Sequence, residues 1–203
     1  MKAKKFLLFT VSIITVILMS VSCDLNGPDP DVDPVVAIAI GDEYQGGVVA
    51  YILQSDDTGY VSGETHGFIA STADLSTGIK WDPTENNMIG TSSDINAGQA
   101  NTTAIVTVCG SDAGGYAAKL CEVYTNTETG TGVYSDWYLP SNSALQKVYT
   151  NKDVIGGFSS SSYWTSTENS VDGSKAYILW FSSGSLTTKT KNELHDVRAF
   201  RSF

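Results

Sequence analysis

Basic side chains are scarce in this chain: 12 Lys and Arg stand against 22 Asp and Glu in 203 residues, giving a net charge of −10. They form no cluster within the folded part. That argues against nucleic acid or an anionic lipid surface as a partner, because both are recognised through phosphate-neutralising bases. Histidine and cysteine are also few, two and three respectively. Structural zinc needs four ligands, and no Cys or His pairs stand at suitable spacing, so no metal and no other cofactor is expected. His195-Asp196 supplies two residue types of a triad, but no serine lies in a Gly-x-Ser-x-Gly setting. The chain is therefore read as non-enzymatic. Its long apolar run, residues 6–19, is shorter than the ~20 residues that span a bilayer as a helix.

What stands at the N-terminus is ordered in three parts. Lys2, Lys4 and Lys5 give a positive start, the apolar run follows, and Ser20-Val21-Ser22-Cys23 closes it. This is the arrangement of a secretory signal. The closing four residues resemble the lipobox of bacterial lipoproteins, with Ser20 where Leu is usual. The resemblance implies removal of residues 1–22, acylation of the Cys23 thiol, and residence in the cell envelope, at the outer membrane or cell surface. Several acyl chains anchor stably, since each buried CH₂ contributes about 0.8 kcal/mol. Residues 23–40 then read as a tether: Pro28, Pro30 and Pro34 alternate with Asp29, Asp31 and Asp33, which favours extended, self-repelling chain. Alternating aspartates also suggest calcium, but the glycine turn and closing glutamate of an EF-hand loop are missing. Without residues 1–22 the chain keeps nine bases and all 22 acids.

Residues 41–203 suit one domain with a sizeable core. Only 17% of the whole chain is charged, and Ser, Thr, Gly and Asn supply much of the polarity. That suits an extracellular β-rich domain. Strands are expected over residues 46–53, 67–71, 79–81, 163–167, 176–181, 186–190 and 197–203, from runs rich in β-branched and aromatic residues. Residues 82–100 read as a long loop. Asn101 is expected to cap a helix burying Ala104, Ile105, Val108 and Cys109. A second helix would bury Tyr116, Ala117, Leu120, Cys121 and Tyr124, and Ser141 would cap a third burying Leu145, Val148 and Tyr149. Strands at both ends with helices between give an α+β fold, a mostly antiparallel mixed sheet bringing the two ends of the domain together.

Several blocks occur in a characteristic order: Gly46-Gly47-Val48-Val49-Ala50-Tyr51, His66-Gly67-Phe68-Ile69-Ala70, Gly98-Gln99-Ala100-Asn101, Asp136-Trp137-Tyr138-Leu139-Pro140-Ser141, Tyr163-Trp164-Thr165-Ser166-Thr167-Glu168 and Val197-Arg198-Ala199-Phe200-Arg201. Together they resemble the DUF1566 family, named also for the C-terminal domain of the Legionella collagen-like adhesin. The resemblance covers about residues 41–203. It implies a C-type-lectin-like fold with flanking helices and long loops, and adhesion to a glycan or protein ligand. The calcium and sugar triplets of true C-type lectins are absent. Two other readings accompany it: a structural or assembly subunit of a surface fibre or lipoprotein complex, and an enzyme on the related scaffold of formylglycine-generating enzymes, whose reactive cysteine arrangement this chain does not reproduce.

Individual residues carry further expectations. Cys109 and Cys121 lie on inward faces of neighbouring helices, and an exported protein meets oxidising conditions, so they are expected to pair as a disulfide. Two buried free thiols are the alternative. Trp81, Trp137, Trp164 and Trp180 either stack on a ligand or pack in the core, core packing being the plainer account, and Trp81 beside the long loop is the one expected to be most exposed and to meet ligand. Glu168, Asn169 and Asp172 follow a strand into a turn, where they either meet ligand or shape the turn.

Overall fold

The computed structural model describes residues 37–83, 88–110, 115–126 and 132–203. Cys23 and most of the expected tether lie outside the described residues. Residues 37–203 form one compact unit. Among the described residues, no helix is long and apolar enough to cross a membrane.

The first sheet is antiparallel and joins the two ends of the domain. Its strands β1 (Glu43–Tyr44), β2 (Gly47–Ile52), β3 (Gly67–Ala70) and β9 (Phe200–Ser202) lie in that order. Phe68 faces Ser202 and Ala70 faces Phe200 across the β3–β9 pair. The second sheet has five strands, in the order β4 (Ser76–Ile79), β8 (His195–Val197), β5 (Ser162–Glu168), β6 (Lys175–Trp180) and β7 (Leu186–Thr190). All its pairings are antiparallel except β5 with β8. Helices α1 (Gly98–Cys109), α2 (Ala117–Glu122), α3 (Asn142–Tyr149) and α4 (Lys152–Ile155) come between. The α+β class is as expected, but the single expected sheet is two.

The split falls within the last expected strand. Residues 197–203 alternate apolar and polar as one strand would, yet Arg198 and Ala199 leave the ladder. Arg198 is buried, and its Nε donates to the Ser71 carbonyl at 2.6 Å while Nη2 donates to the Thr72 carbonyl at 3.0 Å. This crossing hands the chain from the second sheet to the first. Earlier in the chain, α1 starts three residues before Asn101. Asn101 is therefore inside the helix, where its side chain accepts from the Ser92 amide at 2.9 Å and donates to the Ser92 carbonyl at 2.7 Å. The face of α1 turns accordingly: Thr102 and Ile105 are buried, and Val108 is 47% exposed. Ser141 does cap α3, its Oγ accepting from the Ala144 amide at 3.2 Å.

Strand β5 is buried along its whole length. Successive residues alternate across a strand, and here both faces are covered. Tyr163 joins a core with Tyr51, Phe68, Leu145, Val148 and Phe200, under α3. Trp164 joins the other, with Trp81, Ile105, Tyr116, Cys121 and Trp137, under α1 and α2. Tyr163 and Trp164 fill the two cores from opposite faces, and the polar residues buried along the rest of the strand are held by hydrogen bonds, as where Thr165 Oγ1 donates to the Tyr177 carbonyl at 3.0 Å.

Candidate functional site

The residues expected to meet ligand are placed otherwise. Trp81 is fully buried, and its indole Nε1 donates to the Thr165 carbonyl at 2.7 Å. Its backbone amide donates to the Lys191 carbonyl, and the neighbouring Lys80 carbonyl accepts from Ala117 at the start of α2. A chain segment held on both sides in this way is carried into the core, so the expectation of an exposed platform is corrected. Glu168 is still on β5 and is also buried. Its carboxylate accepts from the amides of Ile89 at 2.9 Å and Gly90 at 2.8 Å, and lies 2.5 Å from Lys191 Nζ. Lys191 Nζ in turn sits 4.5 Å above the Trp81 ring. Trp81 and Glu168 are thus brought together, but inside the molecule, where they fasten the segment that follows Met88.

Asn169 and Asp172 shape the turn between β5 and β6. Asn169 Oδ1 accepts from the amides of Val171 and Asp172, at 2.8 and 3.0 Å. Asp172 accepts from the Ser174 hydroxyl at 2.6 Å and meets Lys175 Nζ at 2.9 Å. Hydrogen bonds from Ser174, with Lys175 adding its charge, hold the Asp172 carboxyl down at about 2.

The expected disulfide is not formed, and both thiols are free. Cys109 Sγ donates to Asp82 Oδ1 at 3.3 Å instead. Burial, helped by that carboxylate, pushes the Cys109 thiol up to about 12. Cys121 is sealed in the core and burial raises its thiol further. Neither sulfur is a thiolate near neutral pH, which a nucleophilic role would require. Ser162 Oγ and His195 Nδ1 are 2.6 Å apart, and His195 Nε2 is 3.8 Å from Glu193 Oε2. Ser162 is 3% and His195 8% exposed, so this pair sits behind the surface rather than at an opening.

An open cleft of about 310 Å³ lies elsewhere, where β2, β3 and β9 end. Leu53, Phe68 and Phe203 give it an apolar floor, and His66, Asn96 and Ser202 supply polar groups. Its size is at the lower end of small-ligand sites, which run from roughly 300 to 1,000 Å³. Residues 54–66 wall one side. Asp57 Oδ2 fastens the start of that loop by accepting from the Gln54 amide at 2.9 Å and the Tyr51 hydroxyl at 2.7 Å, while Lys147 Nζ meets its Oδ1 at 2.9 Å. Thr58 then reaches across, its Oγ1 donating to Asp94 Oδ2 at 3.0 Å while its carbonyl accepts from Asn96 Nδ2.

Two glycines leave the cleft its shape. Gly59 has φ +87°, and a Cβ there would stand 2.3 Å from Asn96 Nδ2. At Gly67 a Cβ would be 2.1 Å from the Tyr51 carbonyl and 2.9 Å from the Phe203 ring. His66 is clamped at both ring nitrogens, by Glu64 Oε2 at 2.7 Å and by the backbone oxygen of Phe203 at 3.2 Å. Two acceptors favour the doubly protonated ring, so these contacts, the Glu64 one first, raise His66 above its ordinary value. On the same loop Tyr60 and Val61 are 40% and 44% exposed. Although His66, Gly67 and Phe68 stand in one of the ordered blocks, none of the cleft residues is expected from the sequence to meet ligand. They come from positions near 53, 59, 66, 96 and 203, and no local pattern links them.

No protein-family model matches the chain, and no curated protein matches it.

Proposed function

We propose that this chain is an exported lipoprotein of the cell envelope, anchored through acylated Cys23, whose folded domain binds an extracellular glycan or protein without catalysing a reaction. The cleft between residues 54–66 and the ends of β3 and β9 carries the reading. It combines an apolar, partly aromatic floor with a few convergent polar groups, the composition common to small-ligand sites. Beside it stand Tyr60 and Val61, large side chains exposed on the same loop. The two-sheet α+β architecture, with its ends paired at β3 and β9, is compatible with a C-type-lectin-like scaffold, and the ordered motifs that resemble the DUF1566 family support an adhesive role.

Two measurements test this. A glycan array and a pull-down with the full chain should yield a ligand whose binding is lost when Ser202→Trp fills the cleft. A blank screen on folded protein would count against a binding role. Mass spectrometry of membrane fractions should find residues 1–22 removed and acyl chains on Cys23, and an unmodified Cys23 would remove the anchor.

A further inference from the structure

The two segments that flank the cleft carry acids and no Lys or Arg: residues 54–66 and 91–97, joined by Thr58 and Asn96, contain Asp56, Asp57, Glu64 and Asp94. Lys147 of α3 is the base that reaches this region, and its ammonium is already 2.9 Å from Asp57 Oδ1. Asp94 takes the Thr58 hydroxyl and, through its other oxygen, the Asn96 amide at 3.0 Å. Glu64 differs from these. Its side chain is 60% exposed, and its contact is His66, on the cleft wall. None of these carboxylates lines the cleft itself, but they stand on the segments that flank it, and acids beside a low-dielectric floor bias the opening toward positive charge.

We infer that the cleft takes a cationic group, the Lys or Arg side chain of a peptide segment in a partner protein. The ammonium or guanidinium meets Glu64 at the rim, and the aliphatic stem lies over Leu53, Phe68 and Phe203. A long basic side chain suits such a site because its stem is apolar while its head remains near water. An acidic saccharide would face uncompensated carboxylates. This inference rests on the cleft being the ligand site and narrows which ligand it holds.

The His66–Glu64 contact adds a direction with pH. While His66 is protonated it occupies the Glu64 carboxylate and competes with an incoming cation. As pH rises and the ring loses its proton, Glu64 is released to the ligand. The other charged groups nearby are Asp56, Asp94 and Asp57 with Lys147. Despite burial, the Gln54 amide, the Tyr51 hydroxyl and Lys147 hold Asp57 below its ordinary value, and a Lys or Arg ligand stays charged over that range.

The test uses the full chain and labelled synthetic peptides in which Leu alternates with Lys, compared with the same peptides carrying Glu in place of Lys, and with a neutral hexasaccharide. The basic peptide should bind and the acidic one should not. Glu64→Gln should weaken binding about fivefold, the upper end for an exposed ion pair. Binding should tighten between about pH 6 and about pH 8, the range in which a histidine titrates, and His66→Gln should flatten that dependence. Ser202→Trp should abolish binding while the variant still unfolds in one cooperative transition, lowered because the buried Tyr138 hydroxyl loses its partner. Equal binding of the acidic peptide, binding that loosens as pH rises, or basic-peptide binding untouched by both Glu64→Gln and Ser202→Trp would overturn the inference. Hexasaccharide binding lost in Ser202→Trp, without basic-peptide binding, would overturn the cationic ligand and leave the cleft as a glycan site. Binding of none of the probes would overturn the cationic ligand and count against the cleft itself.

Discussion

Lys191 Nζ lies 2.5 Å from Glu168 Oε1, with the two side chains 0% and 2% exposed. An ion pair taken this far from water is held by geometry, since desolvation offsets much of its attraction. Here the carboxylate also collects the Ile89 and Gly90 amides. It therefore fastens β5, the residue after β7 and the segment after Met88 at one point.

Removing either partner should not cost the same. Glu168→Ala leaves the buried Lys191 ammonium with one carboxylate fewer and two backbone amides without their acceptor. A loss of about 3–5 kcal/mol is expected. Lys191→Met leaves the carboxylate its amide donors and should cost less. Urea unfolding of the two variants compares them directly, and equal losses would mean that the amides contribute nothing.

Trp81 separates a structural role from a ligand platform. Trp81→Phe keeps a ring under Lys191 but leaves the Thr165 carbonyl without its indole donor. An orphaned buried acceptor costs about 1–3 kcal/mol. Stability should fall by that amount while ligand affinity stays at the wild-type value, as measured by titration well below the unfolding temperature.

His195 sets an acid limit on stability. Burial pulls it below its ordinary value near 6.5, against the opposing pull of Glu193. The unfolded chain takes up a proton at this position as pH falls below 6.5, and the folded chain resists it. The contribution is therefore whole above 6.5 and is lost as pH drops toward the folded value. His195→Asn should flatten the fall of the melting temperature as pH drops below 6.5. An unchanged slope would assign the acid limit to the carboxylates.

The thiols give a chemical check on the absent bridge. Under non-reducing, denaturing conditions both Cys109 and Cys121 should alkylate fully. In the native protein Cys121 should stay protected, and Cys109, half-buried and hydrogen-bonded to Asp82, should react slowly. A mass lower by two hydrogens that returns on reduction would establish the disulfide instead.

Features set by near neighbours in the chain were readable without coordinates. Strands β2, β3, β5, β6 and β7 follow from runs of β-branched and aromatic residues, and Ser141 announces α3 because a cap satisfies an amide only three residues away. The closeness of the two ends also followed, from strands flanking helices. The departures share one cause. Asn101 leaves its expected capping position because Ser92 offers it better partners, and Arg198 interrupts an alternating strand because carbonyls from residues 71 and 72 claim its guanidinium. Trp81 is inside because Lys191, over a hundred positions later, comes to lie across it. Cys109 turns to Asp82 rather than Cys121 for a similar reason. Local periodicity and capping chemistry act over a few residues. The second sheet, the buried ion pair and the cleft join positions far apart, and only the packed chain decides which of them meet.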